Sequence, residues 1–208
     1  MPTRVGTESD WVGVSAGVRH TLAVAKDGSL WAWGDNTWGQ LGDGTRVLRT
    51  TPVRIGPSQT WRDASAGGRH SAGIDAGGSL WTWGGLEDGQ RDAGAPTRVG
   101  DTADWAAVSA GVFHAVALRR DGTLWAWGEN GFGQLGDGTR AARAAPARVG
   151  TDRDWHMAAA GEFFSAALKR DGSVWCWGDL AGPRADGVTT VCSAPVRVQA
   201  MAAAALAG

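Results

Sequence analysis

An all-β fold, four blades of four antiparallel strands in the manner of a β-propeller, is predicted by three features of this 208-residue sequence. The first is a repeat: Trp11, Trp61, Trp105 and Trp155 are each followed six residues on by Gly17, Gly67, Gly111 and Gly161, at spacings of 50, 44 and 50. The second is a recurring Trp-x-Trp pair behind a glycine turn, Trp31/Trp33, Trp81/Trp83, Trp125/Trp127 and Trp175/Trp177. The third is composition. Gly 33 and Trp 13 with no Tyr describe a chain of tight turns and large flat side chains.

Each repeat reads as four strands. Val14-Ser15-Ala16-Gly17 is short and small, which suits a strand crowded near an axis. His20 to Val24 alternates with the period of two that a strand requires. Asp27-Gly28 is expected to close a two-residue hairpin, repeated at Gly77-Gly78, Asp121-Gly122 and Asp171-Gly172. In Leu30-Trp31-Ala32-Trp33-Gly34 the two Trp share one face and the aliphatics the other, so both faces need cover. A Gly-rich loop follows, then Pro-x-Arg-(Val/Ile), beginning at Pro52, Pro96, Pro146 and Pro195; a leading Pro fits an edge strand.

The blades cover about 7–56, 57–100, 101–150 and 151–199, making one domain over 1–199. An additional outer-strand motif occupies 2–6, and 200–208 is an Ala-rich tail of high helix propensity. Four blades form a partial or open ring, or half of a ring completed by a second chain. An open arc leaves apolar blade faces uncovered, so self-association, a homodimer, is expected.

The linked motifs Val-Ser-Ala-Gly-x-x-His-Thr-x-Ala, Asp-Gly-x-Leu-Trp-x-Trp-Gly, Asn-x-x-Gly-Gln-Leu-Gly-Asp-Gly-Thr and Pro-x-Arg-Val resemble the repeat of the regulator of chromosome condensation (RCC1) family in its bacterial form. The likeness spans nearly the whole chain. Units one and three carry the loop intact, Asn36 to Thr45 and Asn130 to Thr139. Units two and four depart from it at Gly85 to Gln90 and at Asp179 to Gly187, and Phe164 replaces the His.

A net charge of −1 supplies no overall basic field, so no nucleic-acid partner is expected. No run approaches the ~20 apolar residues of a membrane span, and no apolar leader follows Met1, so a cytoplasmic location is expected for the sequence as written. An extracellular one is expected if it belongs to a longer protein. Cys176 and Cys192 read as two separate thiols, outside any zinc spacing.

His20, His70 and His114 recur once per blade and read as structural, each imidazole tying a loop to the backbone. They find no fourth partner at Phe164, so no metal is expected. His156 reads as an exposed neighbour of Trp155. The loops around Asp43 and Asp137 match neither a calcium loop nor a phosphate loop. Ser71 shares its strand position with Thr21 and Ala115, which argues against a nucleophile. The sequence therefore predicts no enzyme and no cofactor.

Twelve of the 13 Trp stand at repeat positions and read as blade packing. Five aromatics remain, Trp38, Phe113, Phe132, Phe163 and Phe164, all expected in loops. Trp38 and Phe132 hold one loop place 94 residues apart, while Phe113 and Phe163 hold the place taken by Arg19 and Arg69 in units one and two. Aromatic and Arg side chains are favoured interface anchors, so these seven residues are predicted to bind a protein partner.

The resemblance implies three roles for such a face. One is a protein-interaction module. Another is guanine-nucleotide exchange on a small GTPase, although units of 44 to 50 residues leave no room for the inserted wedge of the nuclear exchange factor. The third is enzyme inhibition: a secreted bacterial β-lactamase inhibitor with similar repeats grips its target with aromatics at places corresponding to Phe113, Phe163, Trp38 and Phe132. Photoreception of the plant UV-B kind uses a Trp where Val18, Gly68, Val112 and Glu162 stand here, and is not expected.

Overall fold

The computed structural model describes residues 10–56, 58–85, 94–180 and 191–198. They form sixteen strands in four antiparallel meanders. Blade 1 comprises β1 (Trp11–Ala16), β2 (His20–Ala25), β3 (Leu30–Gly34) and β4 (Arg49–Ile55). Blade 2 has β5 (Trp61–Ala66), β6 (His70–Asp75), β7 (Leu80–Gly84) and a short β8 (Thr97–Arg98). Blade 3 has β9 (Trp105–Ala110), β10 (His114–Arg119), β11 (Leu124–Gly128) and β12 (Arg143–Val149). Blade 4 has β13 (Trp155–Ala160), β14 (Phe164–Lys169), β15 (Val174–Asp179) and β16 (Val191–Arg197). The innermost strands β1, β5, β9 and β13 lie side by side in that order, and β2, β6 and β10 each pack on the inner strand of the following blade. The four sheets form an arc and do not close into a ring.

Alternation along the strands gives every blade two unlike apolar faces. Leu22, Val24, Leu30 and Ala32 of blade 1 meet Trp61, Ala66 and Trp83 of blade 2. The same pairing of an aliphatic face with a Trp face builds the junctions of blades 2 with 3 and 3 with 4. Within a blade the opening Trp meets the first Trp of the pair edge-on, with centroids 6.1 Å apart for Trp11/Trp31 and 6.0 Å for Trp105/Trp125. A buried Trp removes about 150–250 Å² from water, worth at most roughly 4 to 6 kcal/mol, against about 1 kcal/mol for a hydrogen bond. Trp packing therefore dominates each junction. Near the axis the chains come so close that a Cβ at Gly17, Gly67 or Gly111 would strike the carbonyl of the matching glycine in the next blade. The backbone uses this proximity: Val18, Gly68 and Val112 each donate an N–H to that carbonyl at 3.1 Å.

The hairpins differ from the expected two-residue turn. Ala25 N–H bonds to Ser29 O and Gly28 N–H to Ala25 O, so Lys26-Asp27-Gly28 is a three-residue loop closed by a left-handed Gly28 (φ 79°). Ser29 decides the length, because its N–H and hydroxyl both donate to the Asp27 carboxylate. In blades 1, 3 and 4 the Pro-x-Arg strands also begin earlier than expected, whereas β8 starts just after Pro96. Pro52 lies inside β4, in the interval where the register slips between Val53 and Arg49, so its missing N–H breaks no ladder. The expected strand at 2–6 and the tail 200–208 lie outside the described residues, as do most of the two divergent loops.

Candidate protein-binding face

The loops that follow β3 and β11 are wired by their own side chains. The Asn36 carbonyl accepts Leu41 N–H at 3.0 Å, and its amide donates to the Asp43 carboxylate and to Thr45 O, both at 3.0 Å. Asp43 accepts in addition from Thr45 and from Arg49, whose ion pair with it is 2.7 Å long. Burial pushes the Asp43 carboxyl up, but the Thr45, Arg49 and Asn36 donors outweigh it and hold the group below the usual carboxylate range. Asn130, Asp137, Thr139 and Arg143 repeat the network. Gln40 Oε1 accepts Trp38 N–H at 2.8 Å and Gln134 Oε1 accepts Phe132 N–H at 2.9 Å, so each aromatic stands on a fixed piece of backbone.

Each loop is also bolted to the following blade. Gln40 O accepts from Ser71 Oγ at 2.8 Å and from Trp83 Nε1 at 2.9 Å. His20 Nε2 lies 2.8 Å from the same Ser71 hydroxyl. His114, Ser165, Gln134 O and Trp177 form the same chain between blades 3 and 4. His20 and His114 are thus tied to the serine of the neighbouring blade, where the sequence reading expected a tie from a loop to the backbone. His70 faces blade 3, where Ala115 takes the place of the serine, and both its ring nitrogens lack a hydrogen bond. Burial lowers His20 and His114 to about 4 and His70 to about 3, so all three are neutral near pH 7.

Ser71 and Ser165 escaped the sequence reading because successive blades show Thr21, Ser71, Ala115 and Ser165 at that position. Read every second blade, the serine recurs after 94 residues, the same interval that separates the two intact loops. The working unit is a pair of blades.

That pairing places the seven candidate residues in two equivalent clusters plus one outlier. In the second cluster Phe163 lies between Phe113, stacked on it at a centroid distance of 5.3 Å, and Phe132, tilted at 4.8 Å. Phe132 is 38% exposed and the other two are half-buried. Together with Glu129, Gly131 and Gln134 they line a shallow hollow. The first cluster holds Arg69 over the Trp38 ring at 4.6 Å, with Arg19 close enough to Asp35 to lower its carboxyl electrostatically. Burial pushes the Asp35 carboxyl up, and the Thr37 and Gln40 donors together with Arg19 bring it below the ordinary value. One half of the face is therefore apolar and the other cationic and aromatic.

Phe164 stands apart. It was expected in a loop, but it opens β14 at the His position, with its ring against Gly161 on the uncovered side of blade 4. Cys176 and Cys192 are free thiols. Among the described residues no three His, Cys, Asp or Glu side chains are grouped to hold a metal, and no helix is long and apolar enough to cross a membrane.

Known proteins share this repeat and fold. The regulator of chromosome condensation (RCC1) repeat signature matches residues 27–74 and 121–168, and a second signature of the same description matches 11–40, 105–134 and 158–179. The arc superposes on the crystal structure of human WBSCR16 with a TM-score of 0.81 at 20% identity, covering 94% of this chain and 54% of that one. It superposes on yeast RCC1 (Prp20) bound to Kap60 with a TM-score of 0.77 at 22% identity, covering 91% and 49%. A structure of Prp20p from Saccharomyces cerevisiae, described with its binding properties to Gsp1p and histones, gives 0.75 at 22%, covering 91% and 50%. The chain spans about half the length of these solved relatives. Its strand order, its blade packing and the two signature matches agree: this chain belongs to the regulator of chromosome condensation (RCC1) repeat family.

Proposed function

We propose that the chain is a non-enzymatic interaction module that seats a protein partner on its loop face. The observation that carries this reading is the Phe113–Phe163–Phe132 cluster, three aromatic rings gathered at the loop ends of blades 3 and 4, with Phe132 on a wired loop. Rigid aromatics cost little conformational entropy on binding, and a half-buried stack offers a desolvated centre that polar groups such as Glu129 can rim. The Arg69/Trp38 pair supplies a second anchor suited to an acidic or aromatic side chain of the partner. Solved relatives support a protein as the partner, since the yeast protein was crystallised with Kap60 and studied with Gsp1p and histones. His20 and His114, of the residue type best suited to acid–base chemistry, are neutral near pH 7 and held between blades.

The test is capture by the immobilised chain, comparing wild type with Phe113→Ala/Phe163→Ala and with Val47→Ala/Leu48→Ala, an exposed pair outside both clusters. A protein retained by wild type and by the Val47/Leu48 variant but lost at least tenfold by the Phe variant is the expected result. Equal retention by all three overturns the assignment of the face. Accelerated nucleotide release from a small GTPase would overturn the non-enzymatic part.

A further inference from the structure

The two ends of the arc carry the two unlike halves of a blade junction. Among the described residues, blade 1 meets a neighbouring blade on its aliphatic face only, and blade 4 on its Trp face only. Exposed valines mark both ends: Val14 is 74% exposed on β1, and Val174 and Val198 are 44% and 46% exposed on blade 4. Their counterparts inside the arc, Leu30, Leu80 and Leu124 for Val174, are wholly buried.

The 94-residue offset says which junction these faces would build. Ala72, Ile74 and Leu80 of blade 2 correspond to Ala166, Leu168 and Val174 of blade 4. Val99 corresponds to Val198, since each donates its N–H at 2.8 Å to the matching residue of the third strand, Leu80 or Val174. On the other side Trp105, Val108, Trp125 and Trp127 of blade 3 correspond to Trp11, Val14, Trp31 and Trp33 of blade 1. The first set packs on the second in the junction of blades 2 and 3. The backbone matches too. Every junction carries an N–H donated across the axis to a glycine carbonyl, and a bond from the opening Trp N–H to the hairpin glycine carbonyl of the previous blade, Gly28, Gly78 or Gly122. Between two copies the equivalent bonds would join Glu162 N–H to Gly17 O and Trp11 N–H to Gly172 O.

We propose that blade 4 of one copy docks on blade 1 of a second copy, reproducing the junction of blades 2 and 3, and that the reciprocal contact closes a head-to-tail dimer. The contact is heterologous, with different surfaces on its two sides, unlike the self-matching patch of an ordinary two-fold dimer. It is independent of the loop face and of what that face binds.

Light scattering on the 208-residue chain at tens of micromolar is expected to give twice the chain mass of 21.6 kDa. Val14→Lys and Leu168→Glu are each expected to halve that mass, with near-ultraviolet circular dichroism unchanged. Mixing the two variants in equal amounts restores the dimer, because the Lys-bearing blade 1 meets the Glu-bearing blade 4 while the other junction is wild type. In a patch where Val14 met Val14 and Leu168 met Leu168, the mixture would set Lys against Val and Glu against Leu, and no Lys–Glu pair would form. Val174→Glu, at a half-exposed position, replaces Leu168→Glu if that variant does not fold. A larger head-to-tail ladder broken by the same substitutions keeps the contact. Single-chain mass for wild type, a dimer indifferent to both substitutions, or failure of the mixture to reassociate overturns the proposal.

Discussion

Burial of His20, His70 and His114 between blades makes their neutral form part of the fold, and a pH dependence follows. Above the ordinary value of 6.5 folded and unfolded chains both carry neutral imidazoles, so the contribution of burial is fully present. Between 6.5 and about 4 the unfolded chain takes up protons that the folded chain refuses, and the equilibrium shifts toward unfolding. His70, with no hydrogen-bond partner for either nitrogen, continues to lose down to about 3. Each His contributes a slope of up to about 1.4 kcal/mol per pH unit. Lower still, the loop carboxylates Asp43 and Asp137, held below their usual range, add a loss of the same sign. Urea unfolding is therefore expected to show stability falling steadily from pH 6.5 to pH 4. Stability flat across that window would mean that water or protons reach the rings in the folded state.

At the level of the element, the loop from Asn130 to Thr139 separates scaffold from contact. Asn130 is wholly buried and joins Leu135, Asp137 and Thr139, whereas Phe132 on the same loop is 38% exposed. Asn130→Ala strands the Leu135 N–H and the Thr139 carbonyl, and is expected to cost about 2 to 3 kcal/mol. Phe132→Ala is expected to cost under about 1 kcal/mol, since a partly exposed surface ring has less burial to lose. Chemical denaturation of the two variants checks the contrast, and equal losses would show that Phe132 belongs to the scaffold. Much of this organisation was legible in the sequence. Strands, blades and the Trp faces follow from short-range periodicity, and Trp38, Phe113, Phe132 and Phe163 stood out as aromatics outside the repeat. What escaped depends on partners distant along the chain or on a neighbouring side chain. The Ser71 that receives His20 lies in another blade, 51 residues away. The Asp-Gly turn fits two loop lengths until Ser29 closes on the Asp27 carboxylate. Phe164 looked like a loop aromatic because it adjoins Phe163, yet the alternation of the strand sends neighbouring side chains to opposite sides.

For the whole molecule, stability is a chain of nearest-neighbour terms, because among the described residues the main strand contacts of each blade run to the blades beside it. Blades 2 and 3 are covered on both faces, and their β6, β7, β10 and β11 carry residues with no exposed surface, such as Ala72, Leu80, Val116 and Leu124. Among the described residues blade 4 is held on one side only, by Trp155, Trp177 and the Ser165 bond to Gln134 O, while Val174, Val196 and Val198 lie open. Local opening should therefore begin at β15 and β16 and reach the middle blades last. Amide hydrogen exchange on Val14→Lys, whose altered blade 1 cannot receive a second copy, is expected to show β15 and β16 exchanging at least tenfold faster than β6 and β10. Wild type differs from it only if blade 4 is covered: protection then returns at β15 and β16 and leaves β6 and β10 unchanged. Uniform exchange across all four blades in the variant would mean that the arc unfolds as one cooperative unit, and the nearest-neighbour description would fall.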